Sequence, residues 1–192
     1  MPPLKYNELI EEIKMKKAII IYESKTGNTE KVALTIKDGL EDAGLDVSLK
    51  KVDNASNIDF FDYDLICIGS PSYNWRPIES ISDFLTSKFN NYKEKGKIKI
   101  GSPRIPGKNA LVFCTYSGPH TGINEAIPAG KIMSQFFDHL GFTILDEWYV
   151  LCEFPGSEEL STKGRLGDIR GKPTDEDLMK IKKDAKSLAN RL

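Results

Sequence analysis

Short, continuous apolar runs alternate with segments of helical periodicity from about residue 17 to the end of the chain. Three runs, at residues 18–22, 64–69 and 110–115, are typical of parallel strands that are buried on both faces. Because a parallel strand needs a crossover to reach its neighbour, the serial strand–helix units predict right-handed crossovers. The expected fold is therefore α/β, an open, doubly wound sheet of five parallel strands with helices on both faces.

The remaining elements complete a predicted single domain over residues 1–192. Alternation over 46–52 predicts a strand near an edge, with Val47, Leu49 and Val52 as its inward candidates, and the last strand lies within 142–154. Helices are expected over 29–43, from Pro77 through Phe89, from Asn124 to Leu140, where Ile132, Met133, Phe136 and Phe137 are apolar, and from Thr174 onward. An extra N-terminal helix is expected over about 4–15, and a long loop over 155–173.

The composition excludes several classes of protein. The net charge of −1 argues against a nucleic-acid-binding protein, and no apolar run is long enough to span a bilayer. The first residues show no signal-peptide pattern, and Cys67, Cys114 and Cys152 are expected to be buried, reduced thiols rather than metal ligands. We therefore expect a cytoplasmic protein without a metal, membrane or nucleic-acid partner, and leave homo-oligomerisation open.

Residues 90–108 are basic and rich in glycine and proline, and their lysines are Lys93, Lys95, Lys97, Lys99 and Lys108. Because charge runs usually face solvent, we expect this stretch to form a solvated surface crossover. A patch for an acidic partner is the alternative.

Residues 24–29, Ser-Lys-Thr-Gly-Asn-Thr, join the first buried run to a predicted helix. The amides of a helix's first turn have no intrahelical acceptor, and the helix dipole adds partial positive charge there. Ser24, Thr26 and Thr29 add hydroxyl donors, and Gly27 lets the backbone approach an anion closely. The turn therefore predicts a phosphate site. The alternative is an ordinary N-cap, because hydroxyl residues often begin helices without binding a ligand.

Two more polar segments follow buried strands. They are residues 69–75, Gly-Ser-Pro-Ser-Tyr-Asn-Trp, and residues 115–122, Thr-Tyr-Ser-Gly-Pro-His-Thr-Gly. Because the carboxyl ends of parallel strands share one edge, we expect both segments to meet the 24–29 turn. Tyr73, Trp75 and Tyr116 are candidates to cover a flat ring, and the alternative is that they only pack within irregular loops. The chain lacks the glycine spacing of an NTP-binding P-loop or a dinucleotide fingerprint at the 24–29 turn.

Together the three segments resemble those of the flavodoxin-like family. Residues 24–29 are similar to its phosphate loop, Ser/Thr-x-Thr-Gly-x-Thr, and residues 69–73 to its Gly-Ser/Thr-Pro-Thr-Tyr segment. The resemblance covers roughly residues 17–192 and implies the strand order 2-1-3-4-5, with FMN at the carboxyl ends of the strands. By this resemblance the candidate cofactor-binding residues are Ser24, Lys25, Thr26, Gly27, Asn28, Thr29, Pro71, Ser72, Tyr73, Asn74, Trp75, Thr115, Tyr116, Ser117, Gly118 and Gly122.

Receiver domains share this winding, but they need an Asp at the end of the third strand, where this chain has Gly69 and Ser70. His120 is a candidate neighbour of the N1–C2=O end of the flavin ring, and the alternative is a solvated loop histidine. No side chain is assigned as an acid–base catalyst.

The resemblance implies a flavoprotein in which FMN supplies the electron chemistry. The leading prediction is an FMN-dependent oxidoreductase that passes electrons from NAD(P)H or a redox protein to a small acceptor such as a quinone. The near-neutral charge, unlike that of strongly acidic electron shuttles, favours this prediction, as does the long loop 155–173. In that loop Arg165 or Arg170 is a candidate contact for an anionic substrate or a nicotinamide nucleotide phosphate, and the alternative is a surface loop with ordinary charges. The alternatives are a flavodoxin-type electron carrier without its own substrate and a module that has lost its flavin.

Overall fold

The structure is a computed structural model that describes residues 15–192. The helix predicted over about 4–15 lies outside the described residues. The strands are β1 (Lys17–Tyr22), β2 (Asp46–Lys51), β3 (Leu65–Tyr73), β4 (Arg76–Pro77), β5 (Asn109–Tyr116) and β6 (Thr143–Leu151). The helices are α1 (Asn28–Glu41), α2 (Glu79–Glu94), α3 (Ile127–His139), α4 (Glu158–Thr162) and α5 (Asp175–Ala189).

The five long strands form a parallel sheet in the order β2-β1-β3-β5-β6. Counted among the long strands, this order is 2-1-3-4-5, so the predicted fold class and winding are confirmed. The chain runs from β1 out to β2 and then returns to the other side of β1 with β3. Ligands of doubly wound sheets bind at the carboxyl ends of the strands beside such a reversal.

Helices cover the sheet on both faces, because the strands have apolar side chains on alternating sides. On one face, Ile66 and Val112 pack in one cluster with residues of α2 and α3, including Phe137. On the other, Ile20 and Leu111 pack with residues of α1 and α5. Each core strand is therefore buried on both sides, as the continuous apolar runs predict. In the part of the chain that the structure describes, no helix is long and apolar enough to cross a membrane.

The predicted end of the third strand was wrong. The strand β3 continues through Tyr73, and β4 folds back onto it, so that Ser72 pairs with Pro77 and Tyr73 with Arg76. The polar residues at 70–73 do not continue the apolar pattern of β3, because this end of the strand leaves the core and forms one arm of a hairpin. Since Pro77 belongs to β4, the helix α2 begins later, at Glu79.

Three further predictions also differ from the structure. Val52 begins a short 3₁₀ helix instead of ending β2, although its side chain is buried. Asn124 lies in a 3₁₀ turn, and α3 begins at Ile127, where Pro128 fits the first turn because it needs no amide donor. Within the segment predicted as a loop, 155–173, the structure has the short helix α4.

The start of α5 carries a capping box that couples its stability to pH. Thr174 Oγ1 accepts the amide of Asp177, and the Asp177 carboxylate accepts the amide of Thr174. The hydrogen bond from Lys172, followed by those from Thr174, lowers the pKa of Asp177. A carboxyl whose folded pKa is lowered stabilises the fold above its unfolded pKa, about 3.9, and that stabilisation is lost as the pH falls through the folded value.

We therefore expect Thr174→Ala to reduce the free energy of unfolding at pH 7 by about 1 kcal/mol. Asp177→Asn should destabilise at pH 7 but have a smaller effect at about pH 2, because the stabilisation by the wild-type carboxylate is lost as the pH falls through its lowered folded pKa. Urea denaturation of both variants at the two pH values measures this. An effect of Asp177→Asn that is equal at both would contradict the ionic part of the cap.

Candidate functional site

A cleft of about 520 Å³ opens at the carboxyl ends of the central strands. Its volume is within the range of small-molecule sites, roughly 300–1,000 Å³. Eleven of the predicted cofactor-binding residues line it, namely Thr26, Asn28, Pro71, Ser72, Tyr73, Asn74, Trp75, Thr115, Tyr116, Ser117 and Gly118. The other five, Ser24, Lys25, Gly27, Thr29 and Gly122, lie in the same segments but do not line it.

The 24–29 turn presents backbone amides at one end of the cleft. Gly27 precedes α1 in the left-handed region, with φ +89, and no atom lies within 4 Å of the position that a Cβ would take there. Its amide donates to Ser24 Oγ at 3.1 Å, which closes the turn and uses the acceptor side of that hydroxyl. The amides of Asn28 and Thr29 belong to the first turn of α1, so they have no intrahelical acceptor. An anion at this end would meet uncharged donors and the positive end of the helix dipole.

One buried hydrogen bond joins this turn to the centre of the sheet. Thr29 Oγ1 and Thr115 Oγ1 lie 2.8 Å apart, and both residues are almost fully buried. The hydroxyl of Thr29, which the sequence predicts as a donor to an anion, is therefore hydrogen-bonded to a residue of β5. The side chain of Thr26 lines the cleft and is exposed. Of the three hydroxyls predicted to contact an anion, that of Thr26 is the one placed at the cleft.

The hairpin between β3 and β4 supplies two aromatic side chains to the cleft. Its turn residues, Asn74 and Trp75, both have positive φ, at 47° and 64°. Two such residues between paired strands match a type I′ turn. Asparagine tolerates this backbone, but for a bulky residue such as tryptophan it is strained. The strained backbone holds an indole that is 62% exposed beside Tyr73, which is 45% exposed.

We expect Trp75→Gly to raise the free energy of unfolding by about 0.5–1 kcal/mol, because Asn-Gly is the favoured type I′ pair and glycine removes the strain. Urea denaturation of the apoprotein measures the gain. A matched change, Trp75→Ala, removes the indole but keeps the strained backbone, and should not stabilise. A loss of stability in the glycine variant would show that the indole packs more strongly than its exposure indicates.

The loop after β5 is held by a tight glycine pair and a carboxylate. Gly122 donates its amide to the Gly118 carbonyl at 2.9 Å, and a Cβ on Gly118 would come within 2.5 Å of the Gly122 oxygen. The Glu125 carboxylate accepts the amides of His120 and Thr121, at 2.8 and 2.6 Å. Gly122 therefore does not line the cleft but shapes the loop through its contact with Gly118. His120 lines the cleft with its neighbour Pro119.

The chain after β6 forms a wall of the cleft that sequence reasoning did not assign to the site. The lining residues of this wall are Cys152, Glu153, Phe154, Pro155 and Leu160, and the segment between β5 and α3 adds Pro119 and Glu125. Phe154 is fixed because its amide donates to the buried Ser161 hydroxyl at 3.0 Å and its carbonyl accepts from the same group at 3.1 Å. The Arg165 amide donates to the Pro119 carbonyl at 2.8 Å, so this wall contacts the loop after β5. In the sequence, this wall was indicated by the position of residues 155–173, which follow the carboxyl end of the last strand.

The two arginines predicted to contact an anionic substrate differ. Arg170 forms ion pairs with Asp168 at 2.6 Å and with Glu158 at 3.3 Å, so its guanidinium already has carboxylate partners. The hydrogen bonds from Arg170 lower the pKa of Asp168 to about 2. Among the described residues, no ion pair engages the side chain of Arg165. Arg165 is therefore the better candidate contact for an anion.

Burial keeps two thiols and one tyrosine hydroxyl at or near the cleft uncharged. It raises the pKa of the Cys152 thiol to about 12 and also raises the pKa of the Tyr116 hydroxyl. The same cause raises the pKa of Cys114 to about 12, so neither thiol is a nucleophile at neutral pH. The cleft therefore combines neutral donors at one end with apolar and aromatic side chains along its walls.

Comparison with known proteins identifies this arrangement. The Flavodoxin domain family matches residues 19–98, which include the 24–29 turn and the β3–β4 hairpin. A curated flavodoxin from Maridesulfovibrio salexigens is 36% identical over 86 residues, which cover 43% of this chain and 59% of that protein. The chain is therefore similar in sequence to flavodoxins over residues 19–98. A solved flavodoxin from Streptococcus pneumoniae, at 19% identity, shares the flavodoxin-like fold with a TM-score of 0.63 over 92% of this chain and 99% of that chain.

A longer relative shows that this flavodoxin-like chain matches part of a larger protein. An uncharacterized protein from Methanocaldococcus jannaschii is 28% identical over 176 residues, which cover 86% of this chain but 39% of that protein. The chain therefore spans less than two thirds of the length of the first two curated relatives.

Proposed function

We propose that the cleft binds FMN, with the phosphate at the 24–29 turn and the ring between the walls formed by the hairpin and by the loop after β5. The observation that carries this proposal is the pairing of two chemistries in one cleft. Uncharged donors lie at one end, where a dianion needs them, and exposed aromatic side chains lie along the walls, where a flat ring needs them. The residues present therefore fit the cofactor.

Each wall has a separate role in this proposal. Thr26 and the first-turn amides of α1 hold the phosphate through uncharged donors, while the Lys25 ammonium lies over the Tyr73 ring, 5.6 Å from its centroid. Tyr73, Trp75 and Tyr116 exclude water from the ring and stack on it. Gly118 lets the backbone of its loop approach the polar edge of the ring closely. Phe154 and Leu160 cover a further side of the cleft.

When bound, FMN supplies the chemistry of accepting and donating electrons. We further propose that the protein takes electrons from NAD(P)H or a redox protein and delivers them to a small acceptor such as a quinone. The wall from Cys152 to Leu160 supports a substrate site, because it adds apolar surface beside the cleft, and the backbone amide of Arg165 joins this wall to Pro119. The second candidate is an electron carrier without its own substrate, which the curated flavodoxin relative favours.

Two measurements on the purified protein distinguish these outcomes. Binding of FMN, followed by quenching of flavin fluorescence, tests the cofactor. Oxidation of NADH and NADPH is then followed with a water-soluble benzoquinone, against free FMN at the same concentration as control. Turnover well above that of free FMN supports the oxidoreductase. Binding without turnover supports the carrier, and protein that does not quench FMN contradicts both.

A further inference from the structure

A second cleft, of about 510 Å³, lies at the opposite end of the sheet from the proposed FMN site. Its residues precede β3 and β5 and end α3, so it is at the amino ends of the strands. The lining residues are Phe61, Lys95, Gly96, Lys97, Lys99, Ser102, Pro103, Ile105, His139 and Leu140. It cannot contact a ligand at the carboxyl edge and requires a separate explanation.

The lysines of the second cleft differ from the neighbouring basic residues in their polar contacts. Arg104 pairs with Asp138 at 2.7 Å, and Lys108 donates to the Phe61 and Tyr63 carbonyls at 2.7 Å each. By contrast, Lys95 and Lys99 have no ion pair within the described residues. Arg104 and Lys108 therefore have structural partners, whereas no carboxylate forms an ion pair with Lys95 or Lys99 in the described part of the chain.

Two lysines are positioned over the second cleft. The Lys97 ammonium lies 4.8 Å from the centroid of the Phe61 ring, which holds this cation over the cleft floor. Lys99 Nζ lies 4.0 Å from the position that a Cβ would take on Gly96, so its side chain folds back toward the start of the loop. The two ammonium groups therefore lie against two residues that line the second cleft, Phe61 and Gly96.

The floor of the second cleft is apolar. Phe61, Ile105 and the buried Leu140 contribute ring and alkyl surface beneath the ammonium groups. Inorganic anions gain nothing from such a floor, because burial of apolar surface stabilises only ligands that have some. A ligand that matches both features has a flat apolar ring joined to an anionic group.

We propose that the second cleft binds a small aromatic anion, a carboxylate or phosphate, with its ring on the part of the floor formed by Ile105 and Leu140 and its charge toward Lys95, Lys97 and Lys99. The two helix C-termini at this end, those of α2 and α3, carry partial negative charge and favour the lysines in place. The three ammonium groups exceed that partial charge, so the second cleft remains positive.

Phenyl phosphate, benzoate and inorganic phosphate are the probes that test this site. They are titrated into FMN-saturated, ¹⁵N-labelled protein while amide shifts are recorded, so that the residues affected identify the site occupied. We expect saturable shifts at Gly96, Gly101 and Ser102, and tighter binding of phenyl phosphate than of inorganic phosphate. Benzoate tests whether a carboxylate suffices, and added NaCl should weaken all binding to these lysines.

The decisive variant is Lys97→Gln with Lys99→Gln, which should weaken binding of phenyl phosphate about tenfold, because two nearby charges are lost. The control, Lys183→Gln with Lys186→Gln, removes two exposed charges from α5 and should leave binding unchanged. Equal effects of the two pairs, or shifts confined to the 24–29 turn, would overturn the proposal. Because shifts at the second cleft do not depend on FMN, this result is independent of the proposed cofactor.

Discussion

Replacing Thr26 by glutamate is expected to weaken FMN binding by at least about a hundredfold, because a carboxylate would face the phosphate dianion at close range. Thr26 lines the cleft, where the donors of the turn are neutral, and the basic residue of the turn, Lys25, places its ammonium over the Tyr73 ring, 5.6 Å from the ring centroid. Fluorescence quenching of FMN measures the dissociation constant. Riboflavin, which lacks the phosphate, should lose much less affinity.

Thr86→Glu is the matched control, because it makes the same chemical change at an exposed position in the middle of α2. It should leave the affinity for FMN unchanged. If Thr26→Glu binds FMN as tightly as the parent protein does, the phosphate is not at the 24–29 turn. If affinity for riboflavin falls as much as affinity for FMN, the substitution acts by disturbing the fold.

Gly69→Ala is expected to reduce the free energy of unfolding by about 3 kcal/mol, which is large for one added methyl group. The new Cβ would lie 2.0 Å from Phe113 Cζ and 2.1 Å from Cε2. Phe113 is fully buried between β5 and the α1–α5 face, so its ring has no space to move into. Glycine in a strand is otherwise unfavourable, and alanine at an unconstrained position would stabilise.

Urea denaturation of a double-mutant cycle separates the clash from other effects. Phe113→Leu alone should destabilise by loss of buried area, but in the Gly69→Ala background it should cost less or restore stability, since the smaller side chain relieves the clash. Additive effects of the two changes would contradict this account. So would a Gly69→Ala protein that is as stable as the parent.

The sequence predicted the sheet well because buried parallel strands leave a simple signal. Residues 18–22 and 110–115 form short, continuously apolar runs. Strands that are covered on both faces have this pattern. The hairpin at 73–77 left no such signal. Its turn pair, Asn74 and Trp75, lacks the glycine that normally marks a type I′ turn, and the pairing of Tyr73 with Arg76 depends on tertiary contacts.

The site was predictable where a motif and a strand end coincide. Thr26, Tyr73 and Tyr116 lie in such segments, and the structure brings all three to one cleft. The wall formed by Phe154 and Leu160 could not be assigned, because its position depends on the hydroxyl of Ser161 and on α4, neither of which follows from local pattern. The structure was also needed to show which of the predicted donors face the cleft.

The central claim is that neutral donors at the turn between β1 and α1 bind the phosphate of FMN. A crystal structure of the protein with FMN tests it directly. We expect the phosphate within hydrogen-bond distance of Thr26 and the first-turn amides of α1, and the ring between the hairpin and the loop after β5. A phosphate bound elsewhere, or a cleft that stays empty at saturating FMN, would contradict the account.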